Sequence, residues 1–318
     1  MLKQSYFACQ VYLADDGSKD DSLAYVRRKF PKVKILASSK NFGTAGISNW
    51  VVKKVREEYV VLASNDMRFD RNCVKELVAG IRAGKNRGIC SALLIRDRKD
   101  PKTGKYFIDN AGGAMDIFGC PWPLGIEEDW AGYPKEIREV FFSYGGCFII
   151  SRKLFEMVGG FDEKFFTLSD DIDLSWRVRL LGKKVVVNPK AFLYHQVSAS
   201  LGKSHKMAQK RFLSERNVLR MLLKNYQAIT LLFIMPFYVL GEIGEILFYL
   251  FLGRVDMAGA IVKAVWWNFK MMGNTWTARK LVQKMRVVAD LDIMKNMKIG
   301  SYKLKLFPLV LKNRNLKR

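Results

Sequence analysis

Short apolar blocks alternate with longer amphipathic stretches along the first third of the chain. Residues 10–14 are an apolar run that stops at Asp15-Asp16-Gly17-Ser18, the pattern of a strand followed by a turn. Residues 21–30 carry Leu23, Val26 and Phe30 on one helical face, and residues 33–37 predict a second strand. Ile47, Val51, Val52 and Val55 recur at helical spacing through residues 46–58. A third strand over 59–63 ends at Ser64-Asn65-Asp66. Strands alternating with helices predict an α/β fold with a mostly parallel sheet covered on both faces, whose ligands bind beyond the carboxyl ends of the strands. Both Asp15-Asp16 and Asn65-Asp66 fall at such ends.

The pattern changes further along. Residues 101–134, rich in Gly, Pro and aromatics, predict a long loop or a small irregular subdomain. A helix is expected over about 206–225. Residues 229–252 are then strongly apolar but contain Pro236, Glu242 and Glu245. That length can cross a bilayer. Two central glutamates cost about 5–7 kcal/mol, against about 5–9 kcal/mol from the Leu, Ile, Val and Phe side chains, so a single crossing is marginal. Glu242 and Glu245 share one helix face, so the opposite face is expected to lie in lipid while these stay wet. A shorter apolar block over 257–269 carries Trp266-Trp267, residues suited to a membrane interface.

At 318 residues and 49% hydrophobic content the chain can hold one substantial domain plus an appendage. Charge is uneven. From Leu201 onward there are 22 Lys and Arg against six Asp and Glu, so this part carries +16 of the total +24. Such an excess calls for an anionic partner, either acidic headgroups or nucleic acid. Arg254, Lys263, Lys270, Arg279, Lys280, Lys284 and Arg286 flank the apolar blocks and point to an anionic membrane surface. No RNP-type aromatic motif or zinc-finger spacing accompanies the charge, so no nucleic acid is expected. The five cysteines form no Cys-x-x-Cys pair, and their odd count fits a reducing, cytoplasmic setting. No apolar run follows Met1–Tyr6, so no secretory leader is expected.

The densest chemistry lies between Tyr144 and Ser200. It runs Tyr144-Gly145-Gly146-Cys147, then Gly159-Gly160-Phe161-Asp162, then Asp170-Asp171-Ile172-Asp173-Leu174-Ser175-Trp176-Arg177, then His195-Gln196-Val197-Ser198-Ala199-Ser200. Three acids within four positions repel one another, so a fold keeps them together mainly where a metal, a base or a cationic partner is needed. This order resembles the acceptor half of a family 2 glycosyltransferase, in its rhamnosyltransferase-like branch. The pattern there reads approximately Gly-Gly-Phe-Asp, then Glu-Asp-x-Asp-Leu-x-x-Arg, then His. On the donor side, Asp15-Asp16-Gly17-Ser18-Lys19-Asp20 looks like the family's Asp-Asp-Gly-Ser-x-Asp. Asn41-Phe42-Gly43 through Asn49 is similar to its Asn-x-Gly-x-x-x-x-x-Asn, and Ser64-Asn65-Asp66 stands in the place of its Asp-x-Asp. Each piece alone is an ordinary turn, helix stop or buried histidine; their joint order carries the resemblance.

The resemblance implies a GT-A fold and transfer of a sugar from a nucleotide-diphosphate donor to a glycan or lipid-linked acceptor, with inversion. It implies that Asp15, Asp16, Ser18, Asn41, Gly43, Asn49 and Asn65 bind the nucleotide sugar. Asp66 and His195 would hold a divalent cation, Mg²⁺ or Mn²⁺. Asp171 would be the general base, Asp170 would position acceptor or base, and Arg177 would counter that charge or touch phosphate. Ser64 departs from the metal motif, since a hydroxyl replaces a carboxylate. Met1-Leu2-Lys3-Gln4-Ser5-Tyr6 matches the last turn of the family's first helix. An opening strand and helix of about 20–25 residues are therefore expected to be missing, which would cut into the donor pocket. The expected division is a catalytic domain over 1–226 and a membrane-associating helical region over 227–318, at the cytoplasmic face. A catalytically impaired remnant of the family and a basic nucleic-acid-binding protein stand as the alternatives.

Overall fold

The computed structural model describes residues 1–196 and 207–305. The tail of the expected motif, residues 197–200, and the expected helix start at residue 206 lie outside them. The chain divides into two compact units, Met1–Gly112 with Gly125–Leu201, and Gly113–Leu124 with Gly202–Arg318. The boundary expected at 226/227 therefore falls earlier. The helix over 207–225 belongs to the second unit because its apolar and polar side chains are satisfied by the helices that follow it.

The first unit opens with β1 (Tyr12–Asp15), α1 (Ser22–Lys29), β2 (Lys34–Ala37) and α2 (Gly43–Val52). β1 and β2 pair in parallel as a separate two-stranded sheet. Residues 1–6 hold no helix. Instead the Gln4 side chain accepts from Val74 N–H at 2.9 Å, capping a later helix. Next come β3 (Tyr59–Ala63), β4 (Met67–Phe69), α3 (Cys73–Arg82), β5 (Arg87–Arg96) and β6 (Ile108–Asn110). The chain then makes the hairpin β7 (Gly113–Met115) and β8 (Pro121–Pro123) in the second unit. It returns as β9 (Arg138–Glu139), β10 (Cys147–Ser151), α4 (Arg152–Met157), α5 (Asp170–Leu180) and β11 (Lys184–His195).

The main sheet runs β3-β10-β5-β11-β4, with β6 beside β5 and β9 beside β11. It is mixed rather than mostly parallel: β5 and β11 run together, while β10 runs against both of its neighbours and β4 against β11. A run of apolar residues reports burial on both faces, not strand direction, so the sequence pattern could not show this. Gly88–Ile95 of β5 are all buried. Cys73, Leu77 and Ile81 of α3 pack on Cys90, Ala92, Ile149, Val186 and Leu193 of the sheet. Three of the five free cysteines sit in this interior as small apolar side chains.

The second unit is helical: α6 (Met207–Asn225), α7 (Ala228–Phe251), α8 (Val255–Lys270), α9 (Met272–Met285) and α10 (Asp290–Met294). Its interior is polar for a helical bundle. Arg220 donates to Thr275 Oγ1 and Asn274 Oδ1 at 2.7 and 2.8 Å. Arg279 donates to the carbonyls of Leu223 and Tyr226, both at 2.6 Å, and Arg286 to that of Asn225. These two arginines satisfy the orphan carbonyls that end α6, so they are not available to headgroups as the sequence suggested. Glu242 and Glu245 are also not wet. Lys303 Nζ lies 3.0, 2.6 and 3.3 Å from Glu215, Glu242 and Glu245, and Arg211 pairs with Glu215 and Glu245.

The carboxylate oxygens of these three glutamates converge closely enough to hold a metal ion, but the Lys303 ammonium already lies within hydrogen-bonding distance of all three. Replacing it leaves three buried or half-buried carboxylates with one cation. Lys303→Met is expected to destabilise the protein by about 3–5 kcal/mol, read as a lower thermal midpoint at neutral pH, with partial recovery on adding Glu242→Gln. A melting curve equal to wild type would show that the cluster is solvated rather than structural.

Candidate active site

The carboxyl ends of β3, β5 and β11 meet the start of β10 along one edge of the main sheet. Three stretches of chain bring acids there. Asp66 follows β3, and the pairing of Met67 with His195 sets it beside the end of β11, where Gln196 N–H donates to the Asp66 carbonyl at 3.2 Å. His195 Nε2 lies 3.5 Å from Asp66 Oδ2. Asp109, on β6, faces the other ring nitrogen, with its Oδ2 2.8 Å from His195 Nδ1. All three side chains are largely buried. The Asp109 hydrogen bond raises the His195 pKa above its ordinary value, against the lowering effect of burial.

Asp170 and Asp171 arrive from the start of α5. Asp171 Oδ2 accepts from Gly145 N–H at 2.6 Å, and a Cβ on Gly145 would sit 3.1 Å from that oxygen. Burial pushes the Asp171 carboxyl up to about 7, reinforced by the neighbouring Asp170 and opposed by the Gly145 and Ile172 N–H groups. Asp170 is also raised by burial, and accepts from Thr44 Oγ1 at 3.2 Å. The turn before α5 is strained: Phe166, Leu168 and Ser169 all have positive φ, at 63°, 68° and 61°. Such residues cost about 1–3 kcal/mol each and persist where the surroundings impose them. Tyr144 joins the groups. Burial first, and then the charges of Asp171, Asp109 and Asp66, raise its phenol pKa.

The loops after β1 and β2 lock together next to Asp170. Asp15 accepts from Gly17 and Ser18 N–H, each at 3.2 Å, closing its own turn. Asp16 accepts from Phe42 and Gly43 N–H at 2.7 and 2.8 Å, and Asn41 Oδ1 also takes Gly43 N–H at 3.1 Å. Gly43 has φ +70°, and a Cβ there would strike the Phe166 carbonyl at 2.5 Å, so only glycine fits. Asn65 and Ser64 are exposed beside Asp66.

Two expected site residues are committed elsewhere. Asn49 is buried, donating to the Phe161 carbonyl at 2.9 Å and Glu163 Oε1 at 3.1 Å while accepting from Phe161 N–H at 2.8 Å. Arg177 is 3% exposed; it pairs with Asp173 at 2.8 Å and donates to the Val158 carbonyl. Its guanidinium cancels the innermost acid of the cluster inside the fold instead of meeting phosphate. Asp109 and Thr44 were not expected. Asp109 opens Asp109-Asn110-Ala111-Gly112-Gly113, a polar and glycine-rich strand end of the same kind as Asp15-Asp16-Gly17, but lies within the stretch expected to be loop.

The likeness to solved structures is one of fold. One described as GalNAc-T7 with UDP, GalNAc and Mn²⁺ superposes with a TM-score of 0.53 at 16% identity, covering 70% of this chain and 42% of that one. The architecture is thus that of a GT-A glycosyltransferase. A model described as Glycosyl transferase family 2 matches residues 1–159, half of the chain, and the protein belongs to that family. Among curated relatives, an N-acetylglucosaminyl-diphospho-decaprenol L-rhamnosyltransferase of Mycobacterium tuberculosis is 26% identical over 237 residues, covering 65% of this chain and 75% of that protein. The O-antigen biosynthesis protein RfbC of Myxococcus xanthus is 27% identical over 174 residues, 54% of this chain and 13% of its own length.

The Asn49 contacts separate a structural from a binding role. Asn49→Ala leaves a buried N–H and carbonyl unpaired and is expected to lower stability by about 2–4 kcal/mol in denaturant titration. An unchanged midpoint with weakened nucleotide binding would return Asn49 to the donor site.

Proposed function

We propose that this glycosyltransferase moves a sugar from a nucleotide-diphosphate donor to a lipid-linked acceptor at the cytoplasmic face of a membrane, with Asp171 as general base. The single observation that carries it is the Asp171 carboxyl. It is half-buried, held by a backbone N–H, and raised to about 7, and its charge, like those of Asp109 and Asp66, is felt at the Tyr144 phenol. A base needs that combination: a fixed lone pair and a proton affinity near working pH. Asp170, tied to Thr44, adds the like charge that keeps Asp171 basic. The loops carrying Asp15, Asp16, Ser18, Asn41, Gly43 and Asn65 lie toward the donor in this scheme, where the exposed Ser18, Asn41 and Asn65 can read a nucleotide.

Asp66 and His195 fit a divalent cation by the chemistry of their donors. A carboxylate oxygen and an imidazole nitrogen lie 3.5 Å apart at the edge of the sheet, donor types that Mg²⁺ and Mn²⁺ accept. When bound, such an ion supplies Lewis-acid stabilisation of the departing diphosphate. The chain's own part is to hold the donor and to take the acceptor proton at an Asp171 oxygen. In-line attack opposite the leaving group inverts the anomeric centre.

The second unit supports the membrane setting. α7 is 24 residues long with mean hydropathy 1.8, and only 17% of its most apolar window is buried. Leu232, Phe233, Phe237, Leu240, Leu247 and Phe251 are each more than 60% exposed, unlike the core helix of a soluble bundle. Trp266 and Phe269 stack in the open on α8, with Lys270 over the Trp266 ring. Exposed Lys263, Lys270, Lys280 and Lys284 supply charge for acidic headgroups. With Glu242 and Glu245 neutralised internally, α7 can lie in the interface on its apolar face. The decaprenol-linked substrate in the name of the mycobacterial relative supports an acceptor of the same kind.

Asp171→Asn is expected to lower sugar transfer at least 10³-fold, roughly the contribution of a well-placed base, while nucleotide binding by calorimetry stays within about twofold of wild type. In wild type, the rate at limiting substrate should fall about tenfold per pH unit below about pH 7, because the base form is lost there. The stability sign is opposite. A carboxyl with a raised native pKa costs the fold stability as pH climbs from about 4 to about 7, so Asp171→Asn should melt higher than wild type above neutrality and match it near pH 4. Near-normal turnover in the variant would remove Asp171 from the role.

For the membrane, full-length protein should sediment with vesicles containing acidic phospholipid. Raising salt to 1 M should weaken that binding without abolishing it, because screening removes only the charge contribution. Protein left in the supernatant at low salt would contradict the assignment.

A further inference from the structure

His195 lies between two carboxylates, and the two contacts are unlike. Asp109 Oδ2 is 2.8 Å from Nδ1, a full hydrogen bond, whereas Asp66 Oδ2 is 3.5 Å from Nε2. An ionised carboxylate only accepts, and a neutral imidazole carries one N–H and one lone pair. In the neutral ring the short contact therefore requires the N–H on Nδ1, which leaves the lone pair on Nε2, facing Asp66. A lone pair and a carboxylate oxygen turned toward each other repel unless a proton or a metal ion joins them. Asp109 thus sets which face of the ring is available, although it stands on β6, with β5 between it and β11.

Resting on the cation site proposed above, we infer that Asp109 is a positioning residue: it fixes His195 as the Nδ1–H tautomer and so presents Nε2, together with Asp66, to a divalent cation. Sheet geometry makes this a rigid device. β6 is registered on β5 through Leu94 with Asn110 and Ile95 with Ile108, and β5 on β11 through Arg96 with His195. The carboxylate and the ring are held by backbone pairing on both sides, so the ring cannot turn without losing the 2.8 Å bond. Carboxylates placed behind a ligating histidine commonly strengthen metal binding by about 10–100-fold. Exchanging such a carboxylate for an amide can install the wrong tautomer with the geometry unchanged.

The test reads the tautomer without any metal. The chain has two histidines, His195 and His205, so His205→Gln leaves one labelled ring. Long-range ¹H–¹⁵N spectra of ¹⁵N-histidine protein in alkaline buffer should show His195 protonated at Nδ1 and bare at Nε2. Asp109→Ala, and Asp109→Asn as the size-conserving partner, should shift the ring toward the Nε2–H form. Both should raise the Mn²⁺ dissociation constant, followed by the paramagnetic resonance signal of free Mn²⁺, by about 10–100-fold. A merely structural pair would change the melting temperature and the tautomer but not the Mn²⁺ affinity.

A wild-type Nε2–H ring, Mn²⁺ affinity unchanged in both variants, or no Mn²⁺ binding by wild type would each overturn the inference. Protein with the expected tautomer and Mn²⁺ affinity that transfers no sugar would count against the proposed function alone.

Discussion

The antiparallel pairing of Met67–Phe69 with Leu193–His195 is the constraint on which the site depends. Asp66 lies one residue before the paired segment, and His195 ends it. Side chains in a strand alternate between faces, so a slip of one residue would turn His195 to the opposite side of the sheet. The register is protected from such a slip because β11 is also paired along nearly its whole length with β5, and both are buried in the core. A hydrophobic interior thus fixes the position of a polar pair at its rim.

The same edge concentrates negative charge that the fold must otherwise manage. Asp173 is neutralised by Arg177 inside α5, Asp15 accepts from backbone N–H groups of its own turn, and Asp16 accepts from those of Phe42 and Gly43 in the loop after β2. Asp171 combines a backbone hydrogen bond, a like-charged neighbour and burial enough to bring its pKa to about 7. The positive-φ residues at 166, 168 and 169 belong to this arrangement, since they deliver the start of α5 to the edge. Strain and charge repulsion meet where chemistry would use them, and the apolar core offsets their cost.

Much of this was legible in the sequence. β3 was expected at its observed limits, and β1, β2, α6 and α7 within two residues, because β1 to β3 and α7 are apolar runs ended by polar residues or Gly and α6 is amphipathic at helical spacing. Asp170-Asp171 and His195 stood out by residue type and order. Strand direction was not legible, since β10 and β5 are both continuous apolar runs whichever way they point. Asp109 was hidden within a stretch read as loop, on a strand only three residues long that gains its pairing from β5. Asn49 and Arg177 looked like binding residues because motif order cannot tell a side chain facing a ligand from one clasping Phe161 or Asp173. The glutamates of α7 were seen, but not that Lys303, far along the chain, would neutralise them.

We propose the edge formed by Asp66, His195 and Asp171 as the place where the donor diphosphate and its cation meet. Anomalous scattering from crystals grown with Mn²⁺ and a nucleoside diphosphate tests it most directly. One strong Mn²⁺ peak within coordinating distance of both the Asp66 carboxylate and His195 Nε2, with diphosphate density beside it, is the result this account predicts. A peak among Glu215, Glu242 and Glu245, or nucleotide bound away from Asp66, would contradict it.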